Sequence, residues 1–110
     1  MAYDQVLAAR IRERLHGETG VVEKAMFGGL AFLVRGHMAV AASGQGGLMV
    51  RCNPDATEQL TAEPHAERFV MRGRPMTGWL RVDAAGVDSE AQLARWVTVG
   101  VDHVRTLPPK

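Results

Sequence analysis

The sequence predicts an α+β domain, with a mainly antiparallel sheet of about five strands and N-terminal, middle and C-terminal helices. Three observations predict it. Apolar residues recur at helical spacing at both ends of the chain, the stretches between lose that period, and short glycine-containing connections separate the apolar runs. Helices segregated from hairpins in this way belong to α+β rather than α/β architecture. A length of 110 residues suffices for one domain with its own core, so residues 1–110 are read as a single unit.

Residues 4–16 carry Val6, Leu7, Ile11 and Leu15 at helical spacing, with Arg10, Arg12, Glu13 and Arg14 on the other face and Gly17 as a stop. Strands are expected near 21–26, 30–35, 38–43 and 47–52. Arg35-Gly36-His37 and Ser43–Gly47 separate the later runs, because glycine supplies the positive φ that tight hairpins need. Asn53-Pro54 starts a short middle helix over about 54–62, with asparagine as N-cap and proline in the first turn. Two further strands fall near 67–72 and 78–82. The last helix opens on Ser89-Glu-Ala-Gln92, which fits a capping box. Leu93, Trp96, Val97, Val101 and Val104 then form an apolar stripe, on which Gly100 permits a close approach.

Composition narrows the function classes. Hydrophobic and charged fractions of 46% and 23% are ordinary for a soluble protein, and a formal charge of +1 gives no whole-molecule reason to invoke nucleic acid or membrane. No apolar run approaches the roughly 18 residues of a membrane span. The N-terminus lacks a signal-peptide pattern, and the lone Cys52 forms no internal disulfide, so a cytoplasmic setting is expected.

Chemical motifs are sparse. Gly28-Gly29 and Gly44-Gln-Gly-Gly47 match neither a Walker motif nor a dinucleotide fingerprint, and a turn or close backbone contact explains them. Cys52 would need a neighbouring histidine to serve as a nucleophile, and no local signature supplies one; its phase with Leu48 and Val50 fits a buried hydrophobe. The four histidines have no metal-site spacing, and the carboxylates form no acid–base pair. No cofactor is expected.

Arginine use is the exception, with eleven Arg against two Lys. Leu33-x-Arg35, Met49-x-Arg51, Val70-x-Arg72 and Trp79-x-Arg81 repeat one spacing, and residues two apart in a strand share a face. The opposite phase carries Phe32, Val34, Leu48, Val50, Cys52, Phe69, Met71, Leu80 and Val82. Alternation therefore predicts one apolar sheet face under the last helix and a second face mixing apolar residues with arginines. Arg51, Arg72, Arg74, Trp79 and Arg81 form the candidate interaction or anion surface. If that second face is open and joins Met49, Val70 and Trp79, it is expected to meet another chain.

The stretches "KAMFGGLAFLVRGHMAV", "GLMVRC", "GRPMTGW" and "LARWV…LPPK" together resemble the TfoX (Sxy) N-terminal-domain family over nearly the whole chain. The resemblance implies an α+β fold similar to the secretion-chaperone-like arrangement: helix, three strands, helix, two strands, helix. It also implies kinship with bacterial competence regulators that act with the cyclic-AMP receptor protein at promoters, although longer members continue into a second, helical domain that this chain is expected to lack. No catalytic residues carry over from the family. The expected function is therefore a non-enzymatic regulatory or interaction module that works through protein contacts, with a protein partner or a second copy of the chain. The alternatives are a weak nucleic-acid or phosphate binder using the arginine face and the Arg72-Gly-Arg74 loop, and an enzyme using Cys52.

Overall fold

The computed structural model of the chain describes residues 3–26 and 28–108, the side chain of Met71 excepted. Helix α1 (Gln5–Arg14) leads into strands β1 (Val21–Met26), β2 (Gly29–Val34), β3 (His37–Ala42) and β4 (Leu48–Arg51). A 3-10 turn (Pro54–Ala56) and helix α2 (Thr57–Thr61) follow, then β5 (Ala66–Met71), β6 (Arg74–Val82), a second 3-10 turn (Ala84–Val87) and helix α3 (Glu90–Arg105). The sheet order is β1-β2-β3-β4-β6-β5, and every neighbouring pair is antiparallel. The α+β class stands, with six strands rather than about five: each of the four early apolar runs forms its own strand.

Local chemistry places these elements where capping rules put them. Asp4 accepts from the amides of Val6 and Leu7 and starts α1. Asn53 accepts from the Asp55 amide with Pro54 in the first turn. Ser89 and Gln92 make the reciprocal capping box of α3. Met26 pairs with Gly29 across a connection of two residues, of which Phe27 lies outside the described residues and Gly28 has φ +74°. A side chain on Gly29 would press into the Ala42 carbonyl, so the glycine pair answers to a turn and a close backbone approach.

All three helices lie on one sheet face. Leu7, Ile11 and Leu15 of α1 and its C-cap, with Leu93, Trp96, Val97, Val101 and Val104 of α3, join Phe32, Val40, Leu48, Val50, Leu80 and Val82 in one buried cluster, and Leu60 of α2 packs against it. Leu48, Val50, Leu80 and Val82 are fully buried there, as alternation requires. Val6 departs from the α1 stripe and is exposed, with Ala8 buried in its stead. Ion pairs tie the helices to their surroundings: Arg10 and Arg14 to Glu90, Arg12 to Glu23, Arg95 to Glu63 and Arg105 to Glu18.

Phe69 is a correction. It was expected beneath α3 but belongs with the opposite face, against Ala31, Ala41 and Met49. The register explains why. Ala66 pairs with Val82 and Arg68 with Leu80, so even positions of β5 share the helix side and Phe69 takes the other. After Arg68 the register jumps, and Phe69 pairs with Met76, leaving Thr77 to Trp79 as an irregularity in β6. Gly78 sits in it at φ +90°.

Close contact between α3 and the sheet depends on Gly100, where an added Cβ would run into the Ala39 carbonyl oxygen and crowd Val40. Gly100→Ala is expected to lower stability by about 1–3 kcal/mol in chemical denaturation, the usual cost of overpacking. Gly17→Ala, where nothing lies within 4 Å of the new carbon, should change little.

A second expectation concerns acid. The Arg12 hydrogen bond holds Glu23 below the usual carboxylate range, and those from Arg10 and Arg14 do the same for Glu90. The folded state therefore stays ionised where the unfolded chain binds protons. This contribution is complete above an ordinary glutamate value of about 4.3 and is lost as pH falls through the depressed values. Denaturation midpoints should fall below that pH, and Glu23→Gln with Glu90→Gln should flatten the fall.

Candidate functional site

The sheet face turned away from the helices holds a second apolar cluster. Ala31, Ala41 and Met49 are buried at its centre, with Met26, Leu33, Met38, Phe69 and Trp79 packed around them. Among the described residues no helical side chain belongs to it. Burial without a helix on top requires the sheet to cover itself. β1 and β5 are the two edge strands, yet Met26 of β1 and Phe69 and Val70 of β5 line one cavity, of about 240 Å³, with Met38 and Met49 between them. The sheet is therefore curled, and its edges approach each other over the helix-free face.

Gly78 positions the hairpin that closes this cup. Its amide donates to the buried Thr57 hydroxyl at 2.9 Å and its carbonyl accepts from the Cys52 amide at 2.8 Å. The strand bends there, and the β5–β6 hairpin continues to a turn at Arg72-Gly73, both residues with positive φ. Arg72 then lies at the rim of the cup, beside Gln45 and Val70. Met49 and Trp79 thus meet on the helix-free face. Val70, an even position of β5 expected to join them, instead shares the phase of Arg68 and reaches only the cavity border, more than half exposed.

The predicted surface residues fall around this cup in different ways. Arg51 pairs with Trp79 across β4 and β6, and its guanidinium lies over the indole ring, 5.3 Å from the centroid. Arg81 pairs with Met49 and donates to the carbonyls of Gln45 and Gly46 at 3.1 and 3.2 Å. Arg51 and Arg81 therefore point away from α3, as expected. Arg72 occupies the hairpin turn and Arg74 begins β6, both exposed. Met26, Met38 and Ala41 were not singled out from sequence, and Phe69 was assigned to the other face, because their meeting depends on the curl and on the pairing register of β5.

Pairing divides the arginines. The five with a carboxylate partner, Arg10, Arg12, Arg14, Arg95 and Arg105, all lie on helices. Among the described residues, Arg35, Arg51, Arg68, Arg72, Arg74 and Arg81, which lie on strands or their turns, form no ion pair. Lys24 pairs with Ala31 and so shares the open face, where Glu67, opposite Arg81, is the nearby acid in the strand register. The face is apolar at its floor and cationic around it.

Cys52 sits elsewhere. It is buried in the helix-side core, with its sulfur 3.6 Å from the Thr57 hydroxyl. Burial pushes the thiol up, against the weaker opposing effect of Thr57, whereas a nucleophile needs the reverse. His37 meets the Pro108 carbonyl and His65 meets Asp83. Burial lowers His103, aided by the nearby charge of Arg51. Among the described residues no three His, Cys, Asp or Glu side chains are grouped to hold a metal, and no helix is long and apolar enough to cross a membrane.

A family model described as the TfoX N-terminal domain matches residues 13–104. Neither the curated proteins nor the solved structures contain a match to the chain.

From the burial of Cys52, its thiol is expected to resist a water-soluble disulfide reagent at neutral pH and to react stoichiometrically only once denaturant unfolds the chain. Rapid labelling of the native protein would contradict that placement.

Proposed function

The chain belongs to the TfoX N-terminal domain family, and from that premise we propose that it is a non-enzymatic, cytoplasmic regulatory module that works through protein contacts on the open sheet face. The observation that carries this reading is the second apolar cluster. Its floor of Ala31, Ala41 and Met49 is flanked by partly exposed Met38, Phe69 and Trp79, and no described helix covers it. Interfaces are enriched in aromatic, methionine and arginine side chains, and this face combines all three. A free, buried cysteine agrees with a reducing compartment. Regulation of competence is the pathway the family suggests.

The unpaired arginines support a second reading, an anion or nucleic-acid binder. The protein reading fits better for two reasons. Arg51 already lies over the Trp79 ring, where a base would stack, and Phe69 forms part of the cup wall.

Quantitative capture with the purified chain checks the proposal. Wild type and Val6→Glu, which alters an exposed position on α1, are expected to retain one stoichiometric protein partner. Val70→Glu, at the cup, should lose it. Recovery of no such partner, or equal recovery by all three proteins, would overturn the reading.

A further inference from the structure

We propose that the cup and its arginine rim receive an acidic amphipathic segment of a partner protein, one that inserts one or two large apolar side chains and flanks them with carboxylates. This deepens the protein-contact reading and rests on it. The cavity sets the size of the anchor. A cavity of about 150 Å³ takes a benzene-sized molecule, so about 240 Å³ accommodates a phenylalanine or a pair of leucine-sized groups. The walls set its tolerance. Met26, Met38 and Met49 line the cup, and unbranched thioether side chains repack around anchors of different shape.

The rim sets the charge. Lys24, Arg51, Arg72, Arg74 and Arg81 surround or border the face, with Glu67 as the acid in register beside them. The helix-side arginines are already matched to Glu18, Glu23, Glu63 and Glu90. The chain thus neutralises its helix-side arginines with carboxylates. On the other side, among the described residues, Arg72 and Arg74 are exposed without one, and Arg51 and Arg81 rest on the Trp79 ring and on backbone carbonyls. A partner bearing Asp or Glu supplies the missing charge in bidentate geometry, which favours arginine over lysine at such a rim. A second copy of this chain fits poorly. A two-fold contact through this face would set the same cations against one another, with only Glu67 to offset them.

The turn at Arg72 fits the same role. Arg72 adopts φ +53° and is followed by Gly73 at +77°. Asparagine is the low-cost residue at such a position. Arginine there places a guanidinium at the tip of the hairpin, beside the cavity mouth.

The test uses the full chain carrying carbon-13 methyl methionine and three synthetic 18-residue peptides. The first has Leu and Phe on one helical face and Glu elsewhere; the second replaces Glu with Lys, and the third replaces Leu and Phe with Ser. The acidic amphipathic peptide is expected to shift the methyl signals of Met26, Met38 and Met49 to saturation. Its binding should fall about tenfold or more in the double variant Arg72→Glu, Arg74→Glu, and should weaken with added salt. That double variant changes exposed residues, and an unchanged melting midpoint confirms that it folds.

Absence of saturable shifts at millimolar peptide would overturn the proposal. So would equal binding by the lysine or serine peptide, or no loss in the double variant. Tighter binding of oligo-dT at the same methyls would assign the face to nucleic acid, and a dimer burying those methyls would assign it to a second copy; either result rejects the acidic segment. Loss of a captured partner in Val70→Glu, together with failure of the acidic peptide, would keep the protein-contact reading and reject its acidic chemistry.

Discussion

Thr57 is the buried polar side chain through which three parts of the fold are joined. Its hydroxyl accepts from the Gly78 amide, donates to the Asn53 carbonyl at 3.3 Å and faces the Cys52 sulfur. A buried hydroxyl without such partners costs on the order of 1–3 kcal/mol, so the site holds only while α2, the end of β4 and the bend in β6 stay together. Gly78 completes the arrangement, since its φ of +90° suits no side-chain-bearing residue. The irregularity at Gly78 redirects the β5–β6 hairpin, whose turn is at Arg72-Gly73, toward one side of the cup. A short helix with little apolar surface thereby determines the geometry of the opposite sheet face.

The elements themselves were legible in the residues. Capping chemistry located α3 and the middle helix, and alternation assigned Leu48, Val50, Leu80 and Val82 to the core. The same alternation turned Arg51 and Arg81 away from it. Phe69 was misplaced because period alone relates residues within one strand; it does not say which residue faces which across two strands. That information lies in the pairing of Ala66 with Val82, which Asp83 and the loop before β5 help to fix through the bond from the Asp83 amide to the His65 carbonyl. The cup was hidden for a related reason. It joins Met26 to Val70, residues on opposite edges of the sheet, and curl is a property of the whole sheet rather than of any segment.

Charge distribution gives the two faces separate physical characters. Helix-side carboxylates and guanidinium groups neutralise each other at the surface, where each pair contributes little to stability but leaves no net field. Strand-side cations have no such match, and a concave apolar floor beneath them concentrates their influence on whatever enters. A near-neutral chain of formal charge +1 can therefore distribute its paired and unpaired cations unequally between its two faces.

The curl also bears on how this small sheet avoids growing. An open sheet of six strands exposes two rows of unpaired backbone groups, each able to recruit an identical chain into a fibre. Here β1 places Glu23 and Lys24 side by side along one border, and β5 places Glu67 and Arg68 along the other. Bending both borders toward the same side also denies a flat template to an incoming chain. The geometry that makes the cup thus keeps its methionine-rich lining from becoming a seed for aggregation.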